Sequence, residues 1–332
     1  MNPTIALLGD VMLGRGVAER LADVPPEEVW APEVRELCRS CDLVICNLEC
    51  CISARGEPTQ RVRHKPFFFR GPPQAVRSLA AIGVAGVGLA NNHALDYEAD
   101  ALLETLELLG EAGIAVAGAG RRESEARSGA IVDAAGRRIG LVAASDHPRE
   151  FAAGPELPGI AYGDLRRAIP DWLAGELARL DRECDHVVAF PHWGPNMTTD
   201  PAGWQRRAAE QLQETGADLV AGHSAHVFHG AGWGRRGPLL YDLGDALDDY
   251  AIDPRLRNDL GVLALWRPGD PDFELELVGL ALDFCHTRLA VGHDAEWIAQ
   301  RLAGACEPRG TRVERVAEQR FQVTSSGPSV AR

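Results

Sequence analysis

Residues 84–98 read VAGVGLANNHALDYE. The opening run, VAGVGLA, is apolar and of strand length, the pattern of a strand buried on both faces of a parallel sheet. It stops at Asn91-Asn92-His93, and Asp96 follows three residues later. In an α/β sheet, ligands gather beyond the carboxyl ends of the strands. Two amides, an imidazole and a carboxylate delivered at that place therefore point to a site rather than to a turn.

The surroundings repeat the alternation. Before this stretch, TIALLGD and DLVICNLE read as strands, and PEVRELCRS and PQAVRSLAAIG as helices. After it, EADALLETLELLGEAG carries apolar residues at i, i+3, i+4 spacing and ends on a Gly, and strand IAVAGAG follows. GAIVDAAGRRIGLVAAS reads as a β-hairpin, and DHPREFAAGPELPGIAYGD as a long loop of the kind that often carries function. Strand HVVAFP, helix GWQRRAAEQLQETG and strands DLVAG, PLLYDLG and GVLALW complete the pattern. The C-terminal part is mostly β, with a helix from Asp294 and a last strand near RVERV. Strand-helix alternation predicts an α/β fold. The strands outnumber an ordinary single sheet, so one domain over residues 1–325 with two sheets is expected, with a disordered tail at 326–332.

Bulk properties narrow the function. The 332 residues carry a formal net charge of -14, which argues against a nucleic-acid or anionic-membrane surface, since both rest on neutralising phosphates with Lys and Arg. The start, MNPTIALLGDVMLGR, lacks a basic leader and its apolar run breaks at Gly9-Asp10, so no signal peptide is expected. No segment reaches an uncharged transmembrane length. A cytoplasmic protein with its eight cysteines reduced is the expectation. Cys38-x-x-Cys41 resembles a zinc half-site, but Cys38 closes a helix and Cys46 lies inside the apolar run LVIC, which favours small buried side chains.

Strand after strand ends in a metal ligand or proton donor: Asp10, then Asn47 and Glu49, then Asn92 and His93, then His192, then His223 and His226. Singly, such an Asp is ordinarily a cap and such a His a structural residue. Five strands pointing polar groups at one edge form a site. Two carboxylates, an amide oxygen and several imidazoles suit Mn, Fe or Zn. Their number exceeds the four ligands of a structural zinc and fits two metals sharing a carboxylate and an activated water. His93, beside Asn92, is placed to act as general acid, with Asp96 orienting its ring and raising its pKa.

Three other patterns fall short. AGHSAH imitates a nucleophile elbow around Ser224, but His226 stands where a small residue is needed and no helix follows. GAGRRE lacks a third Gly and reads as a turn rather than a dinucleotide site. The basic run RVRHK, residues 61–65, reads as a solvated loop or an anchor for an anionic substrate.

In order, GDVMLGR, NLE, NNHALD, HWG, GHSAH and YDLGD resemble the signature of the CapA family, the poly-γ-glutamate capsule-synthesis proteins related to calcineurin-like metallophosphoesterases. The resemblance runs from about Ile5 to about Trp266, and its specificity lies in the order of six motifs. It implies a four-layer α/β/β/α sandwich of the metallo-dependent phosphatase type with metals at the strand ends. Asp10 matches the first metal Asp, and Glu49 stands where related phosphoesterases have a bridging Asp. Asn92 and His93 match the Asn-His pair, and His192, His223 and His226 the later histidines. The chain departs from the pattern twice, with His223-Ser224-Ala225-His226 for the frequent His-Pro-His, and with Pro195-Asn196 after HWG where an acidic residue is common. Capsule-assembly members are commonly membrane-attached, and no anchor segment is read here.

The expectation is a metal-dependent hydrolase with two divalent ions (Mn, Fe or Zn), cutting a phosphoester or a γ-glutamyl-type amide. Asp10, Glu49, Asn92, His192, His223 and His226 would hold the metals, His93 and Asp96 would serve the proton transfer, and Arg15 would bind an anionic group of a small or polyglutamate-like substrate. The alternative is a non-catalytic accessory protein that uses the same cleft to bind polyglutamate or a synthetase partner. Neither nucleic acid nor membrane is an expected partner.

Overall fold

The strand Ile5–Val11 is buried along all 7 of its residues, as an apolar run covered on both faces must be. In the structure, a computed structural model that describes residues 2–269 and 274–326, this strand lies inside a ten-stranded sheet. It pairs in parallel with Leu43–Leu48, beyond which Val84–Gly88 and Ala115–Ala117 continue in parallel. Its other neighbour, Leu260–Trp266, is antiparallel and leads out through Leu275–Leu282 and Arg320–Ser325 to Thr311–Ala317. A six-stranded sheet runs in the order Ala231–Trp233, Pro238–Leu240, Leu219–Ala221, His186–His192, Arg137–Ser145, Ala130–Ala134. The protein is thus a mixed α/β fold with two principal sheets, joined among the described residues by two short two-stranded pairs.

Side-chain alternation shows how the layers meet. In the six-stranded sheet Leu141, Ala143, Val188, Phe190, Leu219 and Ala221 enter the core shared with the larger sheet. Their neighbours Val142, Ala144, Val187, Ala189 and Val220 pack instead under helices Asp171–Glu183 and Gly203–Thr215, against Leu173, Leu177, Leu180 and Leu212. Successive strand residues point to opposite faces, so one short sequence serves both layers. On the larger sheet, helices Val76–Ala81 and Glu98–Glu111 form the crossovers between parallel strands. Leu79, Leu102 and Leu109 are the buried contacts they make there.

Register then places the polar residues. Asp10 lies opposite Asn47 on one side and opposite Asp245 on the other. In the second sheet His192 pairs with Ser145 and is bridged to His223.

Two helices of nine residues or more exceed the sequence reading. Arg15–Asp23 presents only Val17 and Leu21 to the core, too short a stripe to stand out. Asp171–Glu183 does carry apolar residues at helical spacing, but it follows Pro170 at the end of a loop-like stretch. All eight cysteines are free, and Cys38, Cys46, Cys50 and Cys51 are buried. Burial pushes the Cys38 and Cys50 thiols up to about 12, which leaves them protonated and inert at neutral pH. Residues 327–332 of the expected tail lie outside the described residues; Ser326 donates its N–H to the Gly310 carbonyl at 2.8 Å. Among the described residues no helix is long and apolar enough to cross a membrane.

Two glycine substitutions separate packing from backbone entropy. A Cβ on Gly9 would meet the Gly244 carbonyl oxygen at 1.9 Å, whereas one on Gly110, in the exposed face of its helix, meets nothing within 4 Å. Gly9→Ala should lower stability by about 1–3 kcal/mol, as overpacking does. Gly110→Ala should raise it by about 0.5–1 kcal/mol through helix propensity. Denaturant unfolding of both variants checks this; a Gly9→Ala protein as stable as wild type contradicts the strand contact.

Candidate metal centre

Asp10, next to last in the strand Ile5–Val11, is 1% exposed. Asn47 Nδ2 donates to its Oδ1 at 2.6 Å, and the Ser224 N–H donates to its Oδ2 at 3.2 Å. His223 Nδ1 stands 3.3 Å from Oδ1 and His226 Nδ1 3.7 Å from Oδ2. The carboxylate thus meets groups from both principal sheets. Asn91 secures the neighbouring strand end, donating to Asn47 Oδ1 at 3.1 Å and to the Leu48 carbonyl at 2.8 Å while its own oxygen accepts from the His93 N–H at 3.0 Å. The first amide of the Asn-Asn-His run is structural, which leaves the second free for other work.

Two ligand groups share Asp10. One is Asp10, His192 and His223; the other is Asp10, Glu49, His226 and Asp245, each with its ligand atoms within 4.8 Å of one another. Glu49, fully buried, spans the two: Oε1 is 4.0 Å from His192 Nε2 and Oε2 is 4.0 Å from His226 Nδ1. His223 and His226 therefore both belong to the centre, one in each group. Asp245, 2.9 Å from His226 Nδ1, is a ligand candidate that the strand-end reading passed over. It sits inside YDLGD, a motif used for the resemblance, but the apolar run before it hid a second carboxylate three residues after Asp242. Asp242 is occupied in turning the chain, accepting from the N–H groups of Ala225 at 2.8 Å and Gly244 at 2.9 Å.

The electrostatics are those of a site built around positive charge. Burial, with Asp10 close by, raises Glu49 well above the usual carboxylate range. Burial together with Asp248 and Asp10 does the same to Asp245. Asp10 moves the other way, because His223 and His226 outweigh its burial. His192 is pushed well below the ordinary imidazole range by burial and by His223, so its ring is neutral and able to ligate. Among the described residues, Glu49 Oε1, Asn92 Oδ1, Asp245 Oδ2, His192 Nε2 and His223 Nε2 are buried without a hydrogen-bond partner. Orphaned lone pairs are costly when buried, and carboxylates crowded in low dielectric repel one another. Divalent cations would relieve both, and the N/O donor set is that of Mn, Fe or Zn.

His93 lies beside this cluster at 6% exposure. Its Nδ1 is 2.6 Å from Asp96 Oδ2, and its ring stacks on Phe69 at a centroid distance of 3.8 Å. Asp96 in turn accepts from the Phe69 N–H at 2.6 Å and pairs with Lys65 Nζ at 3.1 Å. The expected upward shift of His93 is corrected here. Burial lowers it to about 4 despite Asp96, and Lys65 adds to the lowering. Lys65, the last residue of the basic run, has a side chain only 7% exposed, so that run is no mere solvated loop. Arg15 lies against Asp249, with Nη2 at 2.7 Å from its carboxylate, and its guanidinium is within 5.2–5.6 Å of the Phe67, Phe69 and Tyr250 rings. Tyr250 donates its hydroxyl to Glu49 at 3.1 Å, which links this aromatic wall to the cluster. Ser224 has a φ of 118° and its hydroxyl donates to the Gly194 carbonyl at 3.3 Å, an arrangement unlike a nucleophile aimed at substrate.

Comparison with known proteins agrees with the motifs. The family described as "Bacterial capsule synthesis protein PGA_cap" matches residues 4–250. A probable polyglutamine synthesis accessory protein of Mycobacterium tuberculosis is 30% identical over 356 residues, covering 93% of this chain and 93% of its own. The capsule biosynthesis protein CapA of Bacillus anthracis is 25% identical, covering 74% of this chain and 60% of its own. The PGA biosynthesis protein CapA of Bacillus subtilis is 26% identical, with 74% and 63% covered. A match that embraces every strand end of the metal centre, joined to a relative aligned along nearly its whole length, makes this chain a member of the bacterial capsule synthesis protein family PGA_cap.

Proposed function

We propose that this protein is a metal-dependent hydrolase of the four-layer metallophosphatase type, acting on a phosphoester or a γ-glutamyl-type amide in poly-γ-glutamate metabolism. The observation that carries the reading is the pair of ligand groups sharing Asp10, with buried atoms of Glu49, Asp245, His192 and His223 left without hydrogen-bond partners. Asp10, Glu49, Asn92, His192, His223, His226 and Asp245 are the residues that would hold metal. Bound there, two divalent ions would supply a water acidic enough to ionise near neutral pH and an electrophilic clamp on the scissile group.

The chain's own residues divide the remaining work. His93, held by Asp96 at Nδ1 and by the Phe69 face, is neutral at neutral pH because burial lowers it to about 4, so its Nε2 would first take a proton from the attacking water and then pass it to the leaving group. Asp96 fixes the ring, and Lys65 neutralises Asp96 in a pocket from which water is largely excluded. Arg15, still one-third exposed in its side chain, would receive an anionic group of the substrate.

A second reading has its own support. The Mycobacterium relative is named as an accessory protein of polymer synthesis, and on that model the same cleft binds the polymer or a synthetase without turnover.

Elemental analysis of purified protein is the decisive test of the centre. About two Mn, Fe or Zn per chain are expected, falling in Glu49→Ala, His226→Ala and Asp245→Ala. A wild type that takes up no metal on reconstitution refutes the hydrolase reading and leaves the binding role. With metal in place, His93→Ala should retain its ions and lose about 10²- to 10⁴-fold in turnover of phosphoester or γ-glutamyl amide substrates. Turnover unchanged in that variant removes His93 from the chemistry.

A further inference from the structure

Two sequence features left unused by the metal centre meet in space. One is the long segment that begins at Asp146 and His147; the other is the Pro195-Asn196 step that follows His192-Trp193-Gly194. Between them lies a cavity of about 390 Å³ lined by His147, Arg166, Gly194, Pro195, Asn196 and Trp204. Its size falls in the range of small-ligand sites, roughly 300–1,000 Å³. It adjoins the metal centre directly, since the His147 ring is 5.3 Å from the ring of His192.

The walls are organised. Asp146, buried, bonds His147 Nδ1 and accepts from the Gly194 N–H at 3.4 Å, so it ties the long segment to the turn after His192. Trp204 is braced edge-on by Trp193, with centroids 6.1 Å apart at 89°. Arg166 differs from these neighbours. Its Nε is 4.0 Å from Asp146, beyond hydrogen-bond length, and its side chain is 62% exposed. A guanidinium left unsaturated at the mouth of a cavity, in a chain of net charge -14, is a receptor for an oxyanion, because its planar fork matches carboxylate and phosphate alike.

We propose that this cavity is a subsite for the anionic end of the substrate, an oxyanion received by Arg166 while the adjoining carbon skeleton lies over Trp204 and extends past His147 toward the metal centre. The direction of the substrate rests on the hydrolase reading; the binding of the oxyanion does not. Pro195 and Asn196 add no carboxylate at this wall, and the Asp146 carboxylate beside it is engaged by His147 and the Gly194 N–H.

Calorimetric titration of the full-length protein, as purified and after chelation, tests this with two probes, γ-glutamyl-glutamate and inorganic phosphate, on wild type, Arg166→Gln and Trp204→Leu. A charged hydrogen bond lost in Arg166→Gln should weaken binding by about tenfold or more. Loss for the dipeptide, with Trp204→Leu weakening it as well, assigns the subsite to a carboxylate; loss for phosphate alone assigns it to a phosphoryl group. Equal affinities in wild type and Arg166→Gln, or no binding of either probe to wild type, overturn the proposal. Metal content and turnover of the same wild-type preparation report separately on the hydrolase reading, so failure of one is not mistaken for failure of the other.

Discussion

The carboxylate of Asp10 is the point on which the two sheets agree. It is buried, bonded by Asn47 from the adjacent parallel strand, and met by the Ser224 N–H and two imidazoles from the loop after Leu219–Ala221. Among the described residues, it is the group that the two ligand sets share. A charge placed this deep costs several kcal/mol unless it is compensated, and the compensation comes from groups that only the packing of the two sheets can deliver. The strand register and the sheet-on-sheet contact therefore serve a single electrostatic requirement.

The same constraint explains the character of the surroundings. Acids crowded at low dielectric are driven toward their neutral forms, as Glu49 and Asp245 are, while His192 is kept neutral. Such a cluster stores unfavourable energy that a divalent cation bound there would release. Beside it the His93–Asp96 pair is held dry by Phe69 and balanced by Lys65, so an imidazole lowered to about 4 stands next to the ligand groups without belonging to either. Arg15 on one flank and Arg166 on another are the cations that remain partly exposed near this acidic centre.

Much of this was legible in the one-dimensional chain because strands end abruptly. Apolar runs such as TIALLG and VVAFP have a single polar residue after them, and a sheet of parallel strands brings such ends to one edge. Asp10, Glu49, His192, His223 and His226 were found in that way, and the structure gathers all five into the two groups. Asp245 escaped because another carboxylate, Asp242, precedes it in the same motif and only hydrogen bonding tells the turn-former from the ligand candidate. Lys65 escaped because a basic run looks solvated until its last member is seen folded under His93. The upward shift expected for His93 failed for a related reason, since spacing reveals the Asp96 partner but not the burial that outweighs it.

Period, run length and the residue at the end of each run determined the α/β class, the order of most elements and the chemical type of the centre. These are local properties of a chain and need no partner to be read. The tertiary structure alone decided which strand lies beside which, that His223 and His226 fall into different ligand groups, and that a cavity with Arg166 opens next to His192. Those facts depend on register, burial and distance between residues far apart in sequence, and such quantities exist only once the sheets have closed on each other.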